Sequence, residues 1–271
     1  MFPPRRIVCL TEETVETLYL LGRQELIVGI SGYTVRPPAA RREKPRVSAF
    51  TSADIPKIEA LQPDLVLAFS DLQAGIVADL IRRGIAVHAF NQRDIAGILD
   101  MIRTLGALVD AGVEAARLAA ALEANVAGVQ AAASRLEKRP RVYFEEWDEP
   151  QIAGIRWVSE LIETAGGIDV FADVSRGKAA TARIVSPAQV IAAAPDIVIG
   201  SWCGKKFRAE KFAGRPGFAA IPAVREGALL EVKSSLILQP GPAALTDGLE
   251  RLAAIVRDWA ARQADSNARL S

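Results

Sequence analysis

Short unbroken apolar runs recur along this chain, separated by stretches whose apolar positions return every three or four residues. "RIVCL" (Arg6–Leu10), "LIVGI" (Leu26–Ile30), "DLVLAF" (Asp64–Phe69) and "IAVHAF" (Ile85–Phe90) are runs of the first kind. Such runs predict strands covered on both faces, and the helical patterns between them predict parallel pairing. "TEETVETLYLLG" follows the first run and reads as a helix. Thr11 stands at its N-cap position, Glu12 and Glu13 fall in its first turn, and Gly22 ends it. The fold class is α/β.

The plan is then repeated. "PDLVLAFS" (Pro63–Ser70) returns as "PDIVIGSW" (Pro195–Trp202), preceded by the helical stretches "DIPKIEALQ" and "SPAQVIAAA". "RRIVCL…LYLLG" is echoed by "RPRVYF…IETAGG". Between the halves, Val109–Lys138 is rich in Ala, Leu, Glu and Arg apart from Gly112 and Gly128, and as a helix it would span roughly 40 Å. The expected organisation is an N-terminal lobe (1–108), a bridging helix (109–138) and a C-terminal lobe (139–271). These would be two Rossmann-like lobes with parallel sheets, joined by one long rigid helix, with a ligand cleft between them.

Composition narrows the function. Of 271 residues half are apolar, and 33 Lys plus Arg against 32 Asp plus Glu give a net charge of +1. That balance carries no nucleic-acid footprint. Cys9 and Cys203 lie too far apart in sequence to suggest a disulfide scaffold or a thiolate zinc site, and the lone His88 rules out sites built from several imidazoles. No run of about 20 apolar residues predicts a membrane span. "MFPPRRIVCL" lacks the long apolar stretch and small-residue cleavage site of a leader. The expected location is the cytoplasm if the chain is complete, and the periplasm if a leader has been removed. There is no phosphate loop and no G-x-G-x-x-G after a strand, and "GISGY" is not a nucleophile elbow. No cofactor, catalytic residue or metal ligand is assigned.

Ligands of open parallel sheets sit beyond the carboxyl ends of the strands, which turns the strands into a list of candidates. They are Tyr33 and Arg36 in "SGYTVRP", Phe69 and Asp71 around "FSD", and Phe90 and Arg93 in "FNQR". In the second half they are Glu145, Glu146, Trp147 and Asp148 in "EEWDEP", and Trp202, Cys203 and Lys205 in "SWCGKK". Aromatic faces among mixed charges suit an amphipathic small molecule. Neighbouring Glu145 and Glu146 would point to opposite sides of an extended segment. Trp157, Trp259, His88 and Cys9 read as interior residues. Cys203, beside Trp202 and followed by two lysines, has the setting of a lowered thiol pKa. Two readings stay open: a small-molecule binding protein, and a sensor or enzyme acting on a small polar ligand through the carboxylates and Cys203.

The segments "TEETVETLYLLG…IVGIS", "KIEALQPDLVLAF", "RWVSELIETAGG", "SPAQVIAAAPDIVIGSW" and "QPGPAALTDGLERL", in this order around the predicted bridging helix, carry a resemblance. The chain resembles the helical-backbone periplasmic binding proteins of ABC importers, receptors for cobalamin and iron–siderophore complexes. It looks most like the cobalamin-binding branch, where an acid–tryptophan segment follows the first strand of the second lobe. The resemblance implies a binding protein without catalysis and a corrinoid or metal chelate as ligand. It also implies an ABC permease as partner, with no nucleic acid and no membrane insertion. Trp147 would be a stacking surface, with the acids contacting ligand amides, hydroxyls or cations.

Overall fold

The structure, a computed structural model, describes residues 3–268. It divides into two compact units. The first comprises the chain up to Gln92 together with Ala96–Glu123, and the second comprises Arg93–Ile95 with the chain from Ala124 on.

The first unit is a five-stranded sheet built from β1 (Ile7–Cys9), β2 (Ile27–Ser31), β3 (Arg46–Ser48), β4 (Leu65–Phe69) and β5 (Val87–Phe90). The order is β3-β2-β1-β4-β5, and every pairing is parallel. The apolar runs form strands because both faces are covered: Val8, Leu10, Val47, Ile58, Val66, Ala68 and Leu80 form one buried cluster, and the alternate residues Ile7, Cys9 and Leu67 are fully buried on the other face. The helix α1 (Glu12–Leu20) follows β1. Thr11 holds the N-cap position without a side-chain cap bond, because its hydroxyl donates to Glu13 Oε1 instead (2.6 Å). Gly22 ends the helix in the left-handed region, at φ +66°. β5 departs from the sequence reading. It is an edge strand, so His88 is only half-buried and packs edge-on against Phe90 at 4.3 Å rather than lying in the interior. That partial burial lowers its pKa.

The helix expected over Val109–Lys138 is shorter, running Gly112–Ala133. Asp110 adopts a left-handed conformation, φ +54°, and so separates it from the preceding helix Ile95–Leu108. Gly106 lets these two helices meet closely, since a Cβ there would lie 2.2 Å from the Ala115 methyl.

The second unit repeats the plan with one change. Its sheet holds β6 (Arg141–Asp148), β7 (Gln151–Ala153), β8 (Ile168–Asp169), β9 (Ile197–Gly200) and β10 (Leu229–Glu231), in the order β10-β9-β6-β7, with β8 also on β6. β6 pairs in parallel with β9 and, at its start, with β8, whereas its far half pairs antiparallel with β7. "EEWDEP" is therefore the end of a long strand and the turn of a hairpin, not a loop beyond a strand end. The two copies of the repeat correspond: β4 lies beside β1 as β9 lies beside β6. Tyr143, Trp202, Phe207, Phe212 and Phe218 share one buried cluster, each large side chain contributing about 1.5–3 kcal/mol by leaving water. Trp157 and Trp259 are buried and Cys9 is fully buried, as the apolar patterns predict.

Gly200 closes β9 where the Phe207 ring crosses the backbone. A Cβ there would lie 1.9 Å from the ring. Gly200→Ala is accordingly expected to cost about 1–3 kcal/mol through forced movement of Phe207. The midpoint of a urea titration followed by tryptophan fluorescence checks this, and an unchanged midpoint would contradict the close packing.

Candidate functional site

In a sheet ordered β3-β2-β1-β4-β5 the winding direction reverses between β1 and β4, and a crevice opens at the carboxyl ends of those two strands. In the first unit that point is occupied by Thr11–Glu13 and Ser70–Leu72. Gln73 stitches it together: its amide nitrogen donates to the Leu10 (3.3 Å) and Phe50 (2.9 Å) carbonyls, and its oxygen accepts from Phe69 N–H (3.0 Å). Glu12 and Glu13 are buried here, at 7% and 1% exposure. Burial pushes the Glu12 carboxyl up to about 7. It pushes Glu13 up to about 8, with the Thr11 hydroxyl opposing and the neighbouring Glu12 adding. Among the described residues, Glu13 Oε2 has no hydrogen-bond partner. Both stand at the carboxyl end of β1, where the strand-end rule points, although in sequence they also read as ordinary first-turn helix residues.

Around this point Tyr33 stands out from the end of β2 at 54% exposure, and Leu72 beyond β4 at 58%. Arg36 is turned to Glu16 (2.9 Å). Asp71 is exposed in the short turn Asp71–Gln73. Phe69 and Phe90 correct the expectation of aromatic walls. They are register partners at the ends of β4 and β5, each only 6% exposed, and they pack into the unit. Arg93 is half-buried and groups with the second unit.

In the second unit the equivalent point lies between β6 and β9. The extended strand sends alternate side chains to opposite sides, and each acid meets its own cation. Glu145, fully buried, accepts two bonds from Arg215 (2.6 and 2.9 Å), one from the Trp202 indole (2.9 Å) and one from the Tyr143 hydroxyl (3.1 Å). Glu146 takes both Nη atoms of the buried Arg183 (2.6 and 3.2 Å), which also donates to the Ala153 carbonyl (2.5 Å). Asp148 takes the ammonium groups of Lys205 and of Lys211 (2.7 Å). Burial alone would raise the Asp148 pKa, but the two lysines outweigh it and hold the carboxyl below its ordinary range.

Trp147 lies between these pairs. Its indole N–H donates to the Glu149 carbonyl (2.8 Å), and Lys205 Nζ sits 3.9 Å above its ring. Four ion pairs on one short strand segment thus fix where that ring stands. Trp202 is different from its sequence reading. At 3% exposure it is a core residue, packed edge-on to Phe207 at 5.1 Å, with Lys205 and Lys211 over its ring, so it supports Glu145 rather than offering a face to a ligand. Cys203 and Lys205 are exposed in the turn that follows. Arg183, Arg215 and Lys211 escaped sequence reasoning because each is a single basic residue in an unpatterned segment, 35 or more positions from the acid it neutralises.

Among the described residues no group of three or more His, Cys, Asp or Glu is placed to hold a metal ion, and no helix is long and apolar enough to cross a membrane. A cavity of about 610 Å³ opens beside Arg139, Glu160, Glu163 and Gly166, near the start of β6 and β8 rather than at the strand carboxyl ends.

The sequence profile of the periplasmic binding protein family matches residues 7–236. The chain belongs to that family. A cobalamin-binding protein of Halobacterium salinarum is 28% identical over 199 residues, covering 72% of this chain but 53% of its own length. The chain therefore spans about half of that relative. A vitamin B12-binding protein of Vibrio parahaemolyticus is 25% identical over 260 residues, 92% of this chain and 88% of its own. Among solved structures, the periplasmic heme-binding protein RhuT of Roseiflexus superposes with a TM-score of 0.80 at 25% identity, covering 93% of this chain and 99% of its own. The named relatives of this family member are binding proteins.

Proposed function

We propose that this chain is the small-molecule binding component of an ABC importer and that its ligand is a corrinoid or a similar metal chelate, bound without chemical change. One coincidence carries the reading: a chain-length similarity to vitamin B12-binding proteins, and an aromatic ring set at the crevice edge of each unit, Tyr33 in one and Trp147 in the other. Flat, rigid rings suit a macrocycle whose body is apolar and whose rim carries amides. The carboxylates Glu145, Glu146 and Asp148 are each committed to cations, which suits a scaffold better than acid–base chemistry. The protein would then meet its ligand outside the cytoplasmic membrane and pass it to a permease.

Calorimetric titration with cyanocobalamin and hydroxocobalamin tests this. Binding in the nanomolar to low-micromolar range is expected. Trp147→Ala and Tyr33→Ala, tested separately, should each weaken it at least tenfold, about 1.4 kcal/mol. Absence of heat with either corrinoid, at protein concentrations high enough to detect micromolar affinity, would overturn the ligand assignment. Heme and ferric hydroxamates would be titrated next.

A further inference from the structure

We propose that Lys205 and Lys211 form an anion subsite that accepts a phosphate group of the ligand, an inference that rests on the corrinoid reading above and makes it more specific. Both ammonium groups bind one carboxylate, Asp148, whose side chain is 1% exposed while theirs are 41% and 50% exposed. One buried negative charge thus faces two solvent-accessible positive ones. Along their own segment, residues 203–211, the exposed cations Lys205, Lys206, Arg208 and Lys211 stand against one exposed acid, Glu210, and half-buried Glu231 is held by the Phe207 N–H (3.0 Å).

The two lysines are held, not free to wander. Lys205 Nζ lies 3.9 Å from the Trp147 ring centre and 5.4 Å from that of Trp202, and Lys211 Nζ lies 5.6 Å from Trp202. The negative faces of the rings hold the ammoniums at the carboxylate without using up their N–H groups in hydrogen bonds to oxygen. An ammonium has three N–H donors. Asp148 takes one from each, and Arg215 is already occupied by Glu145 and by the Asp148 carbonyl. Two donors on each lysine remain, on groups brought close together by a shared counter-ion. That arrangement fits an oxyanion with several acceptor oxygens, such as a phosphate, better than a neutral amide. Placed beside Trp147, it would bind a ligand with a flat body and a phosphate-bearing tail.

Dicyanocobinamide, which has no phosphate, and cobinamide phosphate, which does, separate this subsite from corrinoid binding as such. The native protein is expected to bind the phosphate-bearing form at least tenfold more tightly, with a preference that shrinks as salt rises. Lys205→Met and Lys211→Met, each of which leaves Asp148 one partner, should each weaken binding of the phosphate-bearing form several-fold more than binding of dicyanocobinamide. Equal weakening of both ligands, or no preference in the native protein, would overturn the proposal. If neither corrinoid binds, the corrinoid reading fails, and inorganic pyrophosphate decides the subsite separately. Binding lost in both lysine variants upholds it, and no binding to the native protein refutes it.

Discussion

Arg215→Ala is expected to destabilise the protein by about 3–5 kcal/mol, the cost of leaving one half of a buried ion pair without the other. Glu145 is fully buried, and the Arg215 guanidinium supplies two of its four hydrogen bonds and all of its neutralising charge. With Arg215 gone, the Tyr143 hydroxyl and Trp202 indole would be asked to hold an uncompensated carboxylate in the same core that packs Phe207 and Phe212. The double change Arg215→Ala with Glu145→Gln should recover a good part of the loss, because a neutral amide does not need the cation. Urea unfolding followed by far-ultraviolet circular dichroism measures both. A loss under about 1 kcal/mol for Arg215→Ala would mean that the pair is no clamp.

Glu13→Gln is expected to remove a pH dependence from the stability of the first unit. The native carboxyl titrates near 8, raised by burial from an ordinary value of 4.5. Between those values the unfolded chain gives up its proton and the folded chain keeps it. Stability therefore falls as pH rises from 4.5 towards 8, by at most about 1.4 kcal/mol per pH unit for this group, and levels off above. Glu12, raised to about 7, adds a second slope that ends earlier. Glutamine has the shape of the protonated acid and can still accept the bond from the Thr11 hydroxyl. Melting temperatures of native and variant proteins should agree near pH 5 and separate by several degrees at pH 8, the variant being the more stable. Parallel curves across that range would show that Glu13 is ionised in the fold.

Much of this architecture is legible in the sequence. The repeated "PDLVLAFS" and "PDIVIGSW" runs became β4 and β9, each beside the lead strand of its own sheet. The strand-end rule put Tyr33 just beyond β2, where it stands, and the Glu145–Asp148 segment beyond β6, of which it is in fact the last half. What was not readable is tertiary. Phe69 and Trp202 have the composition and position of site aromatics, yet one is a register partner of Phe90 and the other donates to a buried glutamate. Whether an aromatic at a strand end turns outward depends on what arrives from elsewhere in the chain, and Arg215 and Lys211 arrive from more than 60 positions away. The extension of β6 through Trp147 was hidden for the same reason. Acidic residues read as a turn until the antiparallel partner Gln151–Ala153 is known.

The chain passes between the two units three times, at Gln92–Arg93, Ile95–Ala96 and Glu123–Ala124, the last of these inside a helix. During synthesis the first unit has all its residues once Glu123 has emerged from the ribosome. The second owns three residues, Arg93–Ile95, that are made long before the rest, and the Ile95 N–H must wait for Glu160 to give it an acceptor (2.8 Å). No single cleavage point yields either unit whole. The early half can assemble while the protein is still being made, but the two halves cannot be inherited, expressed or exchanged as separate pieces without cutting a helix.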